Sequence, residues 1–312
     1  MAGTNERLND LKKYLAYFFE TDGFTTDNGV QTISQVAREA ARQARGNVYG
    51  PAVMVHGIMP RSGTVYIGEL LRRHPDLYAY PHQLWEVPAL QLTGQLRRLQ
   101  DHFLRGYKPN LGKLGDDDFV AVFGASIMAY LHQPVPSEKR LLIKMPSVQY
   151  LNNFYSMFPF ENLLILVRDG RDLVHSTLRT WKRLNFVQVC LRWNRSARIV
   201  LKTRKMLQDN GCEGYLFVRY EDALRDAQGF VTDACKSFGL DAGRYPFDSI
   251  DSIKVIGSSK LEHNVTWQFI KRPKNFAPVG YWENWSALRK TIFKAIAGRS
   301  LVELGYSEDL NW

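Results

Sequence analysis

The chain has 312 residues, with 41 Lys+Arg against 31 Asp+Glu, 45% hydrophobic and 23% charged side chains, and a net charge of +10. This composition excludes a disordered chain, and no apolar stretch approaches the ~18–20 residues that span a bilayer. Residues 1–50 hold six basic and six acidic groups, so the whole excess lies in residues 51–312, a basic tail is excluded, and the charge asks for a polyanionic partner.

In chain order, residues 1–48 read as two helical pieces. The first carries Leu8, Leu11, Leu15, Phe18 and Phe19, and the second Ile33, Val36 and Ala40 as its apolar face. Ala52–Ile58 is a short apolar run expected to be a buried strand, and residues 65–73 follow as a helix stopped by Pro75. Phe119–Leu131 is too short to span a membrane and reads as a core helix, with Asp116–Asp118 as its solvated start or cap. Arg140–Lys144 and Asn162–Val167 are further strands, the latter apolar at successive positions as a strand covered on both faces should be. Helices are expected over 171–182 and 184–208, the latter with Val187, Leu191, Ala197, Val200 and Leu201 at helical spacing and Trp181 and Trp193 in the core. Gly214–Val218 gives a fourth strand and residues 223–238 another helix. Strands alternating with helices imply an α/β fold with a parallel central sheet flanked by helices. The expected organisation is a helical extension over 1–50 and a single domain over 51–312.

The chemistry concentrates after the first strand, in VMVHGIMPRSGTVYIGELL. A strand end, a turn over Ile58–Gly63 and a helix start make an anion cradle of backbone N–H groups, with Gly63 allowing close approach. Arg61 adds a fixed charge, and Ser62 and Thr64 add hydroxyls. The Walker pattern fails here. Five residues instead of four separate Gly57 from Gly63, and no Lys follows Gly63.

PRSGT after a strand resembles the 5′-phosphosulfate loop of sulfotransferases that use 3′-phosphoadenosine-5′-phosphosulfate (PAPS). Their second signature is a strand ending in Arg with a Ser eight residues on; NLLILVRDGRDLVHS supplies Arg168 and Ser176 at that spacing. Arg and a hydroxyl suit a dianionic phosphate. Lys144 in IKMP is similar to the family's basic or His position before Pro, and Tyr220 in RYEDAL to a Tyr beside the adenine. Ser258 and Ser259 resemble a small hydroxyl cluster on the nucleotide. GYWENW resembles the GxW segment after the cofactor loop, and LVELGY the family's ending. Val65 stands where many members have a second Thr, and Tyr66 where many have a stacking Trp. The usual RKG triplet is absent, and the role of its loop in holding the 3′-phosphate passes to Arg272 and Lys274.

The resemblance implies a P-loop-like fold, PAPS as sulfuryl donor with 3′,5′-adenosine bisphosphate (PAP) as product, and no required metal. It implies in-line transfer to a hydroxyl, with Arg61 as clamp on the leaving group and Lys144 at the bridging oxygen. PAPS carries about four negative charges by phosphate counting, which Arg, Lys and backbone dipoles neutralise. The general base is His82, Glu86 or another residue, Glu86 lying four residues after His82 and on the same face if a helix starts there. The acceptor is a small molecule, a lipid- or polyketide-like hydroxyl, or a glycan. Two other classes stay open at this point: a P-loop nucleotide kinase or NTPase, and a basic nucleic-acid-binding protein for which charge is the sole argument. Cys190, Cys212 and Cys235 match no metal or redox spacing and read as free thiols. With no apolar signal-peptide core near the N-terminus, the expected location is the cytoplasm.

Overall fold

A computed structural model describes residues 33–46, 49–80, 86–106, 109, 112–254 and 278–312. The first predicted helical piece, His82, Ser258, Ser259, Arg272 and Lys274 lie outside them.

Five parallel strands form one sheet: β1 Val53–Gly57, β2 Leu77–Tyr78, β3 Arg140–Met145, β4 Asn162–Val167 and β5 Tyr215–Arg219. Their spatial order is β2-β3-β1-β4-β5, which puts β1 at the centre. The helices are α1 Gln35–Arg45, α2 Thr64–Leu71, α3 Thr93–Gly106, α4 Asp118–His132, α5 Gly170–Thr180, α6 Phe186–Asp209, α7 Tyr220–Arg225, α8 Ala227–Phe238 and α9 Ala287–Glu303, with a single helical turn at Phe154–Met157. None of the helices of the described residues is long and apolar enough to cross a membrane.

Because successive side chains of a strand point to opposite faces, the apolar runs divide cleanly between two cores. Met54, Leu141, Ile143, Leu163 and Ile165 pack with α4, α6 and α9, through residues such as Met128, Trp193 and Phe293. Val53, Val55, Leu142, Leu164 and Leu166 pack on the other side against Ile67 and Leu70 of α2 and Phe230 and Val231 of α8. This is a three-layer α/β arrangement, and every residue of β1 and β4 is buried.

Several local expectations change. The buried face of α1 is Ala37 and Ala41, while Val36 is 78% exposed. The small alanines let α1 lie close on Ala121 and Ala125 of α4. In α6, Val189, Cys190, Trp193, Ala197 and Val200 face the core, and Val187, Leu191 and the nearby Trp181 are exposed instead. The helix expected over 223–238 is two helices. Asp226 breaks it by leaving helical geometry and capping the Gly229 N–H at the start of α8. Asp117 and Asp118 are buried tethers rather than solvated caps: Asp117 accepts from Arg97 at 2.6 Å, and Asp118 accepts from the N–H and hydroxyl of Ser34. Cys190, Cys212 and Cys235 are free thiols.

Candidate active site

The carboxyl ends of β1, β3 and β4 meet at the centre of the sheet. In open α/β sheets, ligands bind at this edge, where the strand order reverses beside the first strand.

The turn leaving β1 is pinned by Ile58 N–H to Leu166 O at 2.8 Å and closed by Ser62 N–H to Met59 O at 3.2 Å. It then makes two left-handed residues. Arg61 has φ 77°, a conformation an L side chain adopts at a cost and one that gathers at functional sites. Gly63 has φ 94° and starts α2, whose first helical bond is Ile67 N–H to Gly63 O. The amides before it emerge from the positive end of the helix. A Cβ on Gly63 would lie 2.3 Å from the Tyr220 ring, and one on Gly57 would lie 2.3 Å from Ser62 Oγ, so both glycines are demanded by close approach. Ser62 is fully buried, and its Oγ has no hydrogen-bond partner among the described residues. A buried hydroxyl left in this state is costly unless something arrives to use it.

The second signature folds onto the first. Arg168, at the end of β4, donates from Nη1 to Arg61 O at 2.6 Å and sits 5.0 Å from the Tyr220 ring. Ser176, two turns along α5, accepts from Arg61 Nε at 3.3 Å. Ser176 therefore touches Arg61, whereas the resemblance pairs it with Arg168. Tyr66 stands edge-on to Tyr220 with ring centres 6.1 Å apart, forming an aromatic wall beside the cradle, and Thr64 and Val65 are the first two residues of α2 before it. Neither Arg61 nor Arg168 has an ion-pair partner among the described residues. Burial, and then the Arg168 charge, push the Arg61 guanidinium down to about 10. Two cations concentrated in one desolvated cleft make a site for an anion.

Lys144 lies across β1 from this cluster, buried on β3 in register with Val55. Its ammonium donates to Glu86 Oε1, and the two residues form an isolated parallel bridge. Glu86 therefore extends the sheet edge rather than belonging to the helix that would pair it with His82. Its carboxylate is half-exposed beside a buried Lys, at the mouth of the cleft. His56 is 2% exposed, with Nδ1 on Ser147 O at 3.0 Å, and burial pushes it down to about 4, so it stays neutral in the core.

Two buried acids near the cleft go unnoticed in the sequence. Glu221 accepts the Asp169 N–H at 3.0 Å, fixing the turn just after Arg168, and burial pushes its carboxyl up to about 7. Asp172 lies on α5 and accepts the N–H groups of Gly280 and Tyr281, both at 2.8 Å. The i,i+4 spacing of Asp172 and Ser176 on one helix face is a local hint of Asp172 alone.

A family model described as "Sulfotransferase family" matches residues 51–243, about three fifths of the chain and all five strands. The chain belongs to the sulfotransferase family. It is 25% identical over 242 residues to a protein-tyrosine sulfotransferase of Drosophila melanogaster, covering 74% of this chain and 47% of that relative. It is 23% identical over 275 residues to protein-tyrosine sulfotransferase 1 of Danio rerio, covering 84% and 74%. The chain thus spans about half the length of the first relative and about three quarters of the second. Among solved structures, the sulfotransferase domain of a Synechococcus olefin synthase matches with a TM-score of 0.49 at 21% identity, covering 82% of this chain and 96% of that one. The match of the family model includes PRSGT, Lys144, the Arg168–Ser176 pair and Tyr220.

Proposed function

We propose that this chain transfers the sulfuryl group of PAPS to an acceptor hydroxyl and releases PAP. The observation that carries this reading is the convergence of Arg61, the orphan Ser62 hydroxyl, Arg168 and Ser176 on the α2 N-terminus, through contacts that span 107 and 115 residues. PAPS supplies the activated sulfuryl group, held in a phosphosulfate anhydride. The chain's own work is to bind and orient it. Arg61, Ser62 Oγ, Thr64 and the α2 amides suit the 5′-phosphate, where negative charge builds as the bond breaks. Arg168 and Ser176 suit the 3′-phosphate, with Arg272 and Lys274 assigned to it by resemblance. Tyr66 and Tyr220 offer ring faces to the adenine, and Ser258 and Ser259 are assigned to the nucleotide by resemblance. Lys144 stands across the cleft, where it would neutralise the bridging oxygen.

Incubation with PAPS and a panel of aliphatic alcohols, glycans and tyrosyl peptides tests the reading. The tyrosyl arm follows from the names of the two relatives. Release of PAP with a sulfated product is expected; magnesium-dependent ATP binding without PAP binding would point to a nucleotide kinase instead. For nucleic acid, the discriminating result is binding whose affinity falls steeply with salt.

Glu86 at the mouth is the described candidate for removing the acceptor proton, with His82 the other. Glu86→Gln keeps the shape and removes the base, so kcat is expected to fall about a hundredfold with PAP affinity nearly unchanged. A Glu86→Gln enzyme as fast as its parent, with His82→Ala inactive, moves the role to His82. Ser176→Ala is expected to weaken PAP binding about tenfold through the lost phosphate contact. Because Ser176 also braces Arg61, a smaller fall in kcat should accompany it. Calorimetry showing unchanged PAP affinity would remove Ser176 from the site.

A further inference from the structure

The segment from Pro278 to Tyr281 is tied to the start of α5 by three bonds, all from residues that surround the R…S signature. Arg168 Nη2 donates to Pro278 O at 2.6 Å, and the Asp172 carboxylate accepts from Gly280 N and Tyr281 N at 2.8 Å each. One turn further, His175 stacks on the Tyr281 ring with centres 5.2 Å apart. Asp172 is 2% exposed. Its two acceptances cap the short helical turn Tyr281–Asn284, which has no side-chain cap of its own. A carboxylate 108 residues away in sequence thus does the work of a local N-cap.

The same stretch of α5 that presents Ser176 to Arg61 therefore also holds the late segment. Arg168 joins the two: Nη1 donates to Arg61 O in the cradle, and Nη2 donates to Pro278 O in the segment that Asp172 holds.

We infer that Asp172 is a positioning residue for nucleotide binding: it docks the 278–281 segment against α5, and the Pro278 carbonyl held there fixes the Arg168 guanidinium in the PAPS site. This rests on the PAPS reading above. Asp172 touches none of the reacting atoms, so its loss should act on affinity for the nucleotide and leave the chemical step alone.

The test compares the parent chain with Asp172→Ala and Asp172→Asn, using PAP by calorimetry, PAPS kinetics, and hydrogen exchange at the Gly280 and Tyr281 amides. Two hydrogen bonds to a charged acceptor are lost in Asp172→Ala, so Kd for PAP and KM for PAPS should rise about ten- to hundredfold. The kcat at saturating PAPS should stay within about threefold, and the two amides should lose protection. The Asn side chain keeps one acceptor oxygen, and Asp172→Asn should fall between. That graded rescue, with the KM-against-kcat split, separates positioning from a general loss of folding, which circular dichroism melts of both variants would reveal. If the parent binds PAP and Asp172→Ala binds it within twofold, the positioning role is wrong and the PAPS reading stands. If the parent itself fails to bind PAP, both are overturned.

Discussion

Arg61→Ala is expected to lower turnover about a thousandfold, which is the scale seen when a preorganised donor is removed from developing charge in a desolvated site. The argument rests on where the structure puts the guanidinium. A left-handed backbone at φ 77° aims it across the cradle, and Ser176 braces its Nε at 3.3 Å. Strain of this kind, of order 1–3 kcal/mol, persists only where the surroundings over-determine it. Burial and then the neighbouring Arg168 lower the Arg61 pKa to about 10, so it remains charged at neutral pH, and neither guanidinium has an ion-pair partner among the described residues. A bound polyanion relieves that repulsion and gains most as charge accumulates on the departing phosphate. A thousandfold is about 4 kcal/mol at roughly 1.4 kcal/mol per decade. Arg61→Lys keeps a charge but loses the planar fork, and should recover only part of the rate. The measurement is kcat and kcat/KM with PAPS for the parent, Arg61→Ala and Arg61→Lys. Turnover by Arg61→Ala within a few-fold of the parent would sink the clamp.

How far the sequence anticipates the structure depends on whether the signal is local. Asn162–Val167 matches β4 residue for residue, because a strand covered on both faces must be apolar at every position. Leu77–Tyr78 is a two-residue edge strand, too short to leave a periodic pattern, and goes unanticipated. The C-terminal α9 is missed as well: polar and apolar residues are mixed around it, with Phe293, Ala297 and Leu301 its buried stripe. The α1 face is misjudged because size, not hydrophobicity, decides it: close packing on Ala121 and Ala125 admits alanine and leaves Val36 outside. At the site, PRSGT and the Arg168–Ser176 spacing are legible since each is a single turn or helix face. The partners of Asp172 and of Glu86 are not. They lie 108 and 58 residues away, and no spacing rule encodes a contact made by the folding of separate segments. The pairing of Glu86 with Lys144 is an isolated strand bridge of this kind, which the spacing of Glu86 from His82 could not signal.

Gly63→Ala should cost at least about a hundredfold in PAP affinity, well beyond its cost in stability. Two separate penalties meet at this residue. One is conformational: at φ 94° any L side chain is disfavoured, by about 1–2 kcal/mol. The other is steric, since the added Cβ would sit 2.3 and 2.4 Å from the edge of the Tyr220 ring. That ring cannot simply swing away, being held edge-on to Tyr66 and beside the Arg168 guanidinium. The chain must instead open the cradle, displacing Ser62, Thr64 and the α2 amides or pushing Tyr220 away from Tyr66. Gly211 separates the two penalties. It is left-handed too, at φ 57°, yet a Cβ there meets nothing within 4 Å. Gly211→Ala should therefore lose about 1 kcal/mol of stability and bind PAP as the parent does. Thermal melts paired with PAP calorimetry on both variants make the comparison. If the two alanines lower the melting temperature alike and neither changes PAP affinity, Tyr220 is not the wall of a nucleotide site, and the cradle does not depend on the close approach that Gly63 permits.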